Sequence, residues 1–236
     1  MSDVTPAVRS EDDPSTSSAA GEAAVEAAAE AVTDLLGMLA YGELVAFDRM
    51  AADARLAPDL RRRAVLSEMA AREIANYGRL SDRLAELGAD PEAAMAPYVE
   101  AVSAYHEQTE PNDWLEGLAK AYVGDGIADD FTREVAVVLA AADRDLVLDV
   151  LHDSRHADFA ADELRAAIAI DPKVRNRLSM WARRLVGEAI SQSMRVAAER
   201  PSIAMLLAAR GTDFPALLRR LTTAHTARMG AVGLNN

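Results

Sequence analysis

Apolar residues recur along most of the chain with a spacing near 3.6, the period of one face of an α-helix. The first such segment begins near Glu22 and ends near Ala54. A second helical segment has Pro58 in its first turn and ends at Gly88. Because only a few residues connect them, the two segments predict a pair of antiparallel helices.

Residues 89–111 contain three prolines around a short helical stretch. A link of this length is typical of a four-helix bundle in which one long crossover joins two helical hairpins. Asn112 or Asp113 then caps a third helix. Inside that helix, Gly124 and Gly126 predict close packing or a local distortion.

A fourth helix starts at Asp143 or Asp145 and ends near Asp171. Further helices are predicted at about 173–199, after Pro201, and from about Asp213 to Met229. They either cover the bundle or form the interface of a homodimer. The predicted organisation is an acidic disordered tail (1–20), a four-helix bundle (21–171) and C-terminal helices (172–236).

Composition supports an all-α fold, since half of the 236 residues are hydrophobic and only 5% are aromatic. The sequence contains no cysteine, so any metal must be held by carboxylate, imidazole or water, which favours iron or manganese. No apolar run is long enough for a membrane span, and we expect a cytoplasmic protein. A net charge of −13 argues against a basic nucleic-acid groove over the whole body.

Candidate chemistry lies in acids that fall on the apolar helix faces, where a charge is costly unless it is paired or bound to metal. Glu43 lies one turn from Leu39 and Phe47 in the first helix. Glu73 and Asn76 in the second helix have the spacing of a Glu-x-x-His metal motif, with asparagine in place of histidine.

The second hairpin repeats the arrangement. Tyr122–Ala128 can be laid over the Glu43 segment so that Asp125 matches Glu43, and the fourth helix offers Asp153-x-x-His156. Residues three apart share a helix face, so the groups would converge inside the bundle. The predicted metal ligands are Glu43, Glu73, Asn76, Asp125, Asp153 and His156, with Asp129 as the alternative to Asp125.

Structural roles are the alternative for each of these residues. Glu43 and Glu73 would pair with Arg49, Arg72 or Arg79. Asp125, between two glycines, would mark a helix break, and His156 would be a hydrogen-bonded core residue.

At these residues the sequence resembles ferritin-like proteins. The segment Trp114–Phe131 is similar to an actinobacterial group related to the tRNA hydroxylase MiaE, and the resemblance spans roughly residues 30–230. It implies a carboxylate-bridged di-iron site that activates dioxygen, an electron-donor protein, and a tRNA substrate modified beside the anticodon. Asn76, and the aspartates at 125 and 153, depart from the usual ligands.

Two hypotheses follow. The first is a di-iron hydroxylase related to MiaE, in which carboxylates bridge the metals and His156 ligates one of them. The second is a non-catalytic ferritin-like scaffold, whose polar core sets helix register and whose C-terminal helices bind a partner. Iron storage fits poorly, because the long C-terminal extension and the altered ligands do not suit a cage-forming subunit.

Overall fold

The computed structural model describes residues 14–151, 154–209, 211 and 214–235, and these ranges contain helices and no strand. The all-α prediction is therefore confirmed. The α-helices are α1 (Pro14–Asp53), α2 (Leu60–Glu86), α3 (Pro91–Met95), α4 (Val99–Gln108), α5 (Trp114–Ala136), α6 (Ala141–Asp149), α7 (Ser154–Ile170), α8 (Lys173–Glu199), α9 (Ser202–Ala209) and α10 (Phe214–Ala231).

Local capping signals set several helix ends. The Asp59 carboxylate accepts a hydrogen bond from the Arg62 amide at 2.9 Å and caps α2, so Pro58 lies outside the helix and not in its first turn. Asp113, not Asn112, caps α5 in the same way. Gly88 ends the α2 hairpin arm with a φ of +78°, a conformation that favours glycine.

The first helix starts earlier than predicted. It begins at Pro14, so residues 14–20 of the expected disordered tail are helical, while residues 1–13 lie outside the described part of the chain. Proline suits a first helical position, and the alanine-rich sequence that follows propagates a helix.

The fourth helix is not continuous as predicted but consists of α6 and α7. At the end of α6, the carbonyl of Val150 accepts a hydrogen bond from the side chain of Asn76 at 3.0 Å. The last carbonyls of a helix lack intrahelical partners, and a side chain from another helix satisfies this one.

The bundle is formed by α1, α2, α5 and the α6–α7 pair. The α1–α2 hairpin packs along its length, while α5 contacts α6 and α7. The C-terminal helices lie on this bundle, with α8 and α10 against α5 and α9 against α1. Two buried apolar clusters result, one around Leu118, Leu164 and Leu185 and the other around Leu35, Leu80 and Leu217.

None of the described helices combines the length and the apolar character that crossing a bilayer requires.

Candidate functional site

A polar layer separates the two apolar clusters. Along α1, Glu43 falls between Ala40 of one cluster and Met50 of the other. The same transition occurs at Glu73 and Asn76 on α2 and at His156 on α7, and Asp125 lies on α5 just before it, beside Ile127 of the first cluster. We call these five residues the polar layer. Four of the bundle helices thus contribute a predicted site residue at or next to the level where the apolar packing changes.

Glu43 and Glu73 are both removed from water. Glu43 is 9% exposed and Glu73 only 1%. They project from the two antiparallel arms of one hairpin, α1 and α2. The sequence prediction that these two acids face the interior is therefore confirmed.

Asn76 joins three elements through one amide group. Its Nδ2 donates to the Val150 carbonyl at 3.0 Å and lies 3.4 Å from Glu43 Oε2, a longer and weaker contact. Both neighbours are acceptors, so the hydrogens of the amide, and not its oxygen, point at them. The side chain that occupies the histidine position of the motif therefore presents a donor to Glu43.

His156 lies beside a cation. Its Nε2 is 3.5 Å from Nη1 of Arg72, which lies on α2. A guanidinium can only donate, so a hydrogen bond between the two side chains would use the lone pair of Nε2. The same lone pair is the one that would bind a metal.

The two aspartates predicted for α5 have different surroundings. Asp125 is half-buried, and its charge adds to burial in raising the pKa of Tyr105. Asp129 lies 3.5 Å from Arg133 one turn along the same helix. The choice between Asp125 and Asp129 as the α5 ligand stays a prediction.

Asp153, the remaining predicted ligand, lies outside the described residues. Across the described ranges, no three histidine, aspartate or glutamate side chains lie close enough together to hold a metal ion. The proposed full set of six ligands stays a prediction.

Of the three arginines that the sequence offered as partners of Glu43 and Glu73, Arg79 and Arg49 have other neighbours, and a pair with Arg72 stays a prediction. Arg79 pairs with Asp149 at 2.5 Å on the surface, and Arg72 lies beside His156. Arg49 lies with Lys120 and Asp53 in a charged cluster near the end of α1.

Comparison with known proteins identifies the fold family. The sequence model of a family described as "Ferritin-like domain, actinomycetes" matches residues 26–210. The chain belongs to this family. This ferritin-like chain is also similar to a solved structure, "Protein 19 with aldehyde deformylating oxidase activity from Synechococcus", with a TM-score of 0.70.

That similarity covers 89% of this chain and 92% of the Synechococcus chain at 20% identity, and it concerns the fold. No curated protein matches the sequence. The ferritin-like resemblance is confirmed, while the relation to MiaE stays a prediction.

Lys120 is a buried charge that sequence reasoning missed. It is 7% exposed, and burial lowers its pKa to about 8. A signal was present, since Lys120 and Lys173 are the only lysines in a chain that otherwise uses arginine. Lysine is the basic residue whose pKa shifts readily on burial.

Proposed function

We propose that this ferritin-like chain is a non-catalytic scaffold whose polar layer fixes the register of the bundle helices through hydrogen bonds. The observation that carries the proposal is the Asn76 amide between the Glu43 carboxylate and the Val150 carbonyl. The Asn76 amide presents hydrogen-bond donors at the position where the histidine of a Glu-x-x-His motif presents a lone pair to the metal.

The donor set also fits a metal poorly at His156. The guanidinium of Arg72 lies 3.5 Å from Nε2, so a cation stands beside the nitrogen that would bind a metal. Both nitrogen-bearing side chains of the predicted site are thus directed into protein contacts. Buried polar groups of this kind specify a unique helix arrangement when they are satisfied.

Asn76 also has a structural reason to be asparagine. Its hydrogen bond to Val150 satisfies a carbonyl at the point where the fourth bundle helix breaks into α6 and α7. The NH2 group of asparagine can donate to two acceptors, whereas each ring nitrogen of histidine carries at most one hydrogen and lies at a different distance from the backbone. We infer that residue 76 stabilises the helix break.

The second candidate function is a di-iron hydroxylase related to MiaE, acting on tRNA with an electron-donor protein. Its support is the burial of Glu43 and Glu73 on adjacent helices, because two carboxylates removed from water are costly unless they are compensated. The similar Synechococcus structure carries an oxidase activity in its name, and this also supports the enzyme candidate. A net charge of −13 disfavours a tRNA substrate.

Metal analysis separates the two. Protein purified from iron-supplemented cells is expected to contain less than about a tenth of an iron or manganese ion per chain. Added Fe(II) or Mn(II) is expected to leave Tm unchanged, because only an ion that binds the native state raises it. One or two tightly held ions per wild-type chain, together with a raised Tm, would overturn the scaffold proposal.

The Asn76→His variant tests whether residue 76 is the reason that the chain does not bind metal. If it binds metal while the wild type does not, residue 76 is what removes metal binding, which supports the proposal. Asn176→His is the matched control, since Asn176 lies exposed on α8. Equal metal uptake by both variants would mean that uptake reflects surface histidine and would remove this support.

A further inference from the structure

A cavity of about 200 Å³ lies at one end of the bundle, and no residue of the polar layer lines it. It is formed where the end of α1 and the turn after it meet the start of α5 and the segment before it. The residues that line it are Arg49, Ala52, Asp53, Arg55, Leu56, Glu110, Pro111 and Lys120. We call it the Lys120 cavity.

The three cations of the Lys120 cavity have hydrogen-bond donors to spare. Arg49 Nε is buried and has no hydrogen-bond partner among the described residues. Arg55 donates only from Nε, to the Ala52 carbonyl at 3.2 Å. Lys120 donates one of its three hydrogens to the Thr109 carbonyl at 2.8 Å.

None of these cations forms an ion pair with a carboxylate in the described part of the chain, whereas Arg62, Arg83 and Arg177 each do. A buried donor without a partner, such as Arg49 Nε, is costly, and an anion in the cavity would satisfy it together with the free donors of Arg55 and Lys120. The arrangement favours an anionic ligand.

The charges that face the cavity set the charge of that ligand. The lining holds three cations and the two carboxylates of Asp53 and Glu110, a net charge of +1, and Asp125 is a further acid whose charge acts on Lys120. The nearby His106 contributes no charge, because burial and then the charges of Lys120 and Arg49 lower its pKa to about 3. A monoanion balances this site, and a dianion exceeds it.

The remaining wall is apolar. Ala52, Leu56 and Pro111 line it, and the Tyr105 ring lies 5.5 Å from Lys120 Nζ. A cavity of about 200 Å³ has room for several water molecules. That space suits a carboxylate group with a short aliphatic chain, the carboxylate held by guanidinium and ammonium donors.

From these contacts we propose that the Lys120 cavity binds a small aliphatic monocarboxylate through Arg49, Arg55 and Lys120. The site is separate from the polar layer and goes beyond the scaffold function. If butyrate does not bind, the proposal about metal binding in the polar layer is unaffected. If the polar layer binds metal stoichiometrically, the proposal of a carboxylate site is unaffected.

Calorimetric titration of the full chain with sodium butyrate tests the proposal at pH 7. Saturable binding and a raised Tm are expected, with butyramide, the neutral analogue, giving neither. Sulfate, which is a dianion at pH 7, is expected to bind more weakly because of its second charge. Absence of saturable butyrate binding, equal binding of butyramide, or tighter binding of sulfate would overturn the proposal.

Variants assign the contacts. Arg49→Gln and Lys120→Met are each expected to weaken butyrate binding about tenfold or more, because each removes a charged donor. Arg63→Gln and Lys173→Met are matched controls at exposed positions outside the cavity and should bind as the wild type does. Unchanged affinity in both cavity variants would refute the assignment.

Asp53→Asn is expected to act in the opposite direction. It removes a negative charge from the cavity wall and should tighten butyrate binding about threefold or more. A general loss of folding cannot produce such a gain. If Lys120→Met fails to fold by circular dichroism, Arg55→Gln replaces it, because Arg55 is largely exposed and its loss leaves the core intact.

Discussion

Asp34 and Arg200 form an ion pair that joins α1 to the residue linking α8 and α9. The Asp34 carboxylate is 4% exposed and also accepts a hydrogen bond from the Ser202 hydroxyl. The pair therefore fastens the C-terminal helices to the first helix of the bundle. It also raises the pKa of Arg200, through its hydrogen bond to Asp34.

Replacing Asp34 by alanine is expected to lower the free energy of unfolding by about 2–3 kcal/mol, because Arg200 and Ser202 lose their buried acceptor. The figure is below that for a fully buried pair, since the Arg200 side chain is 34% exposed. Urea denaturation measures the change. Asp149→Ala, which breaks the exposed pair with Arg79, should cost less than about 0.5 kcal/mol and serves as the control.

Gly37 and Gly42 lie on the same helix and should respond oppositely to alanine. A Cβ at Gly37 would come within 2.6 Å of the carbonyl carbon of Ala94, which is backbone and cannot rotate away. Gly37→Ala is expected to cost about 2 kcal/mol or more in unfolding free energy. A Cβ at Gly42 meets nothing within 4 Å, so Gly42→Ala should stabilise by about 1 kcal/mol. Stabilisation of both variants would contradict the close packing of α1 on α3.

Asn76→Ala is expected to destabilise the fold by about 1–3 kcal/mol, because the Val150 carbonyl and the Glu43 carboxylate lose a donor. Asn176→Ala, at an exposed position of α8, should change stability by less than about 0.5 kcal/mol. Amide hydrogen exchange should show faster opening near the α6–α7 break in Asn76→Ala. Equal stability of the two variants would mean that the Asn76 amide has no structural role.

Lys120 makes stability depend on pH in the alkaline range. Burial lowers its pKa to about 8 in the folded chain, below the ordinary value of 10.5. Between those two values the unfolded chain binds more protons, so stability should rise from about pH 8 to about pH 10. Denaturation at fixed pH values should show this rise in the wild type and in Lys173→Met.

Lys120→Met should lack that rise, since the residue that titrates is gone. Measurements end near pH 10, because the raised pKa of Tyr98, about 12, and that of Tyr105 produce the opposite slope above it. A rise of the same size in Lys120→Met would assign the effect to another group.

The sequence by itself determined which segments are helical and where along each helix the polar residues lie. Periodicity and capping act within a few residues, so α8 was predicted at its observed limits, and the Asp113 cap is one of the two that the sequence offered for α5. The burial of Glu43 and Glu73 was predicted from their positions on the apolar helix faces.

Tertiary structure decided what those residues contact. The direction of the Asn76 amide depends on two acceptors that are 33 and 74 residues away in sequence, and the break between α6 and α7 involves the same hydrogen bond. Helical periodicity places Lys120 on a face but does not reveal the cations that gather around one cavity. A local pattern specifies which side of a helix a residue occupies, while hydrogen bonds and charges between distant segments exist only once the helices have packed.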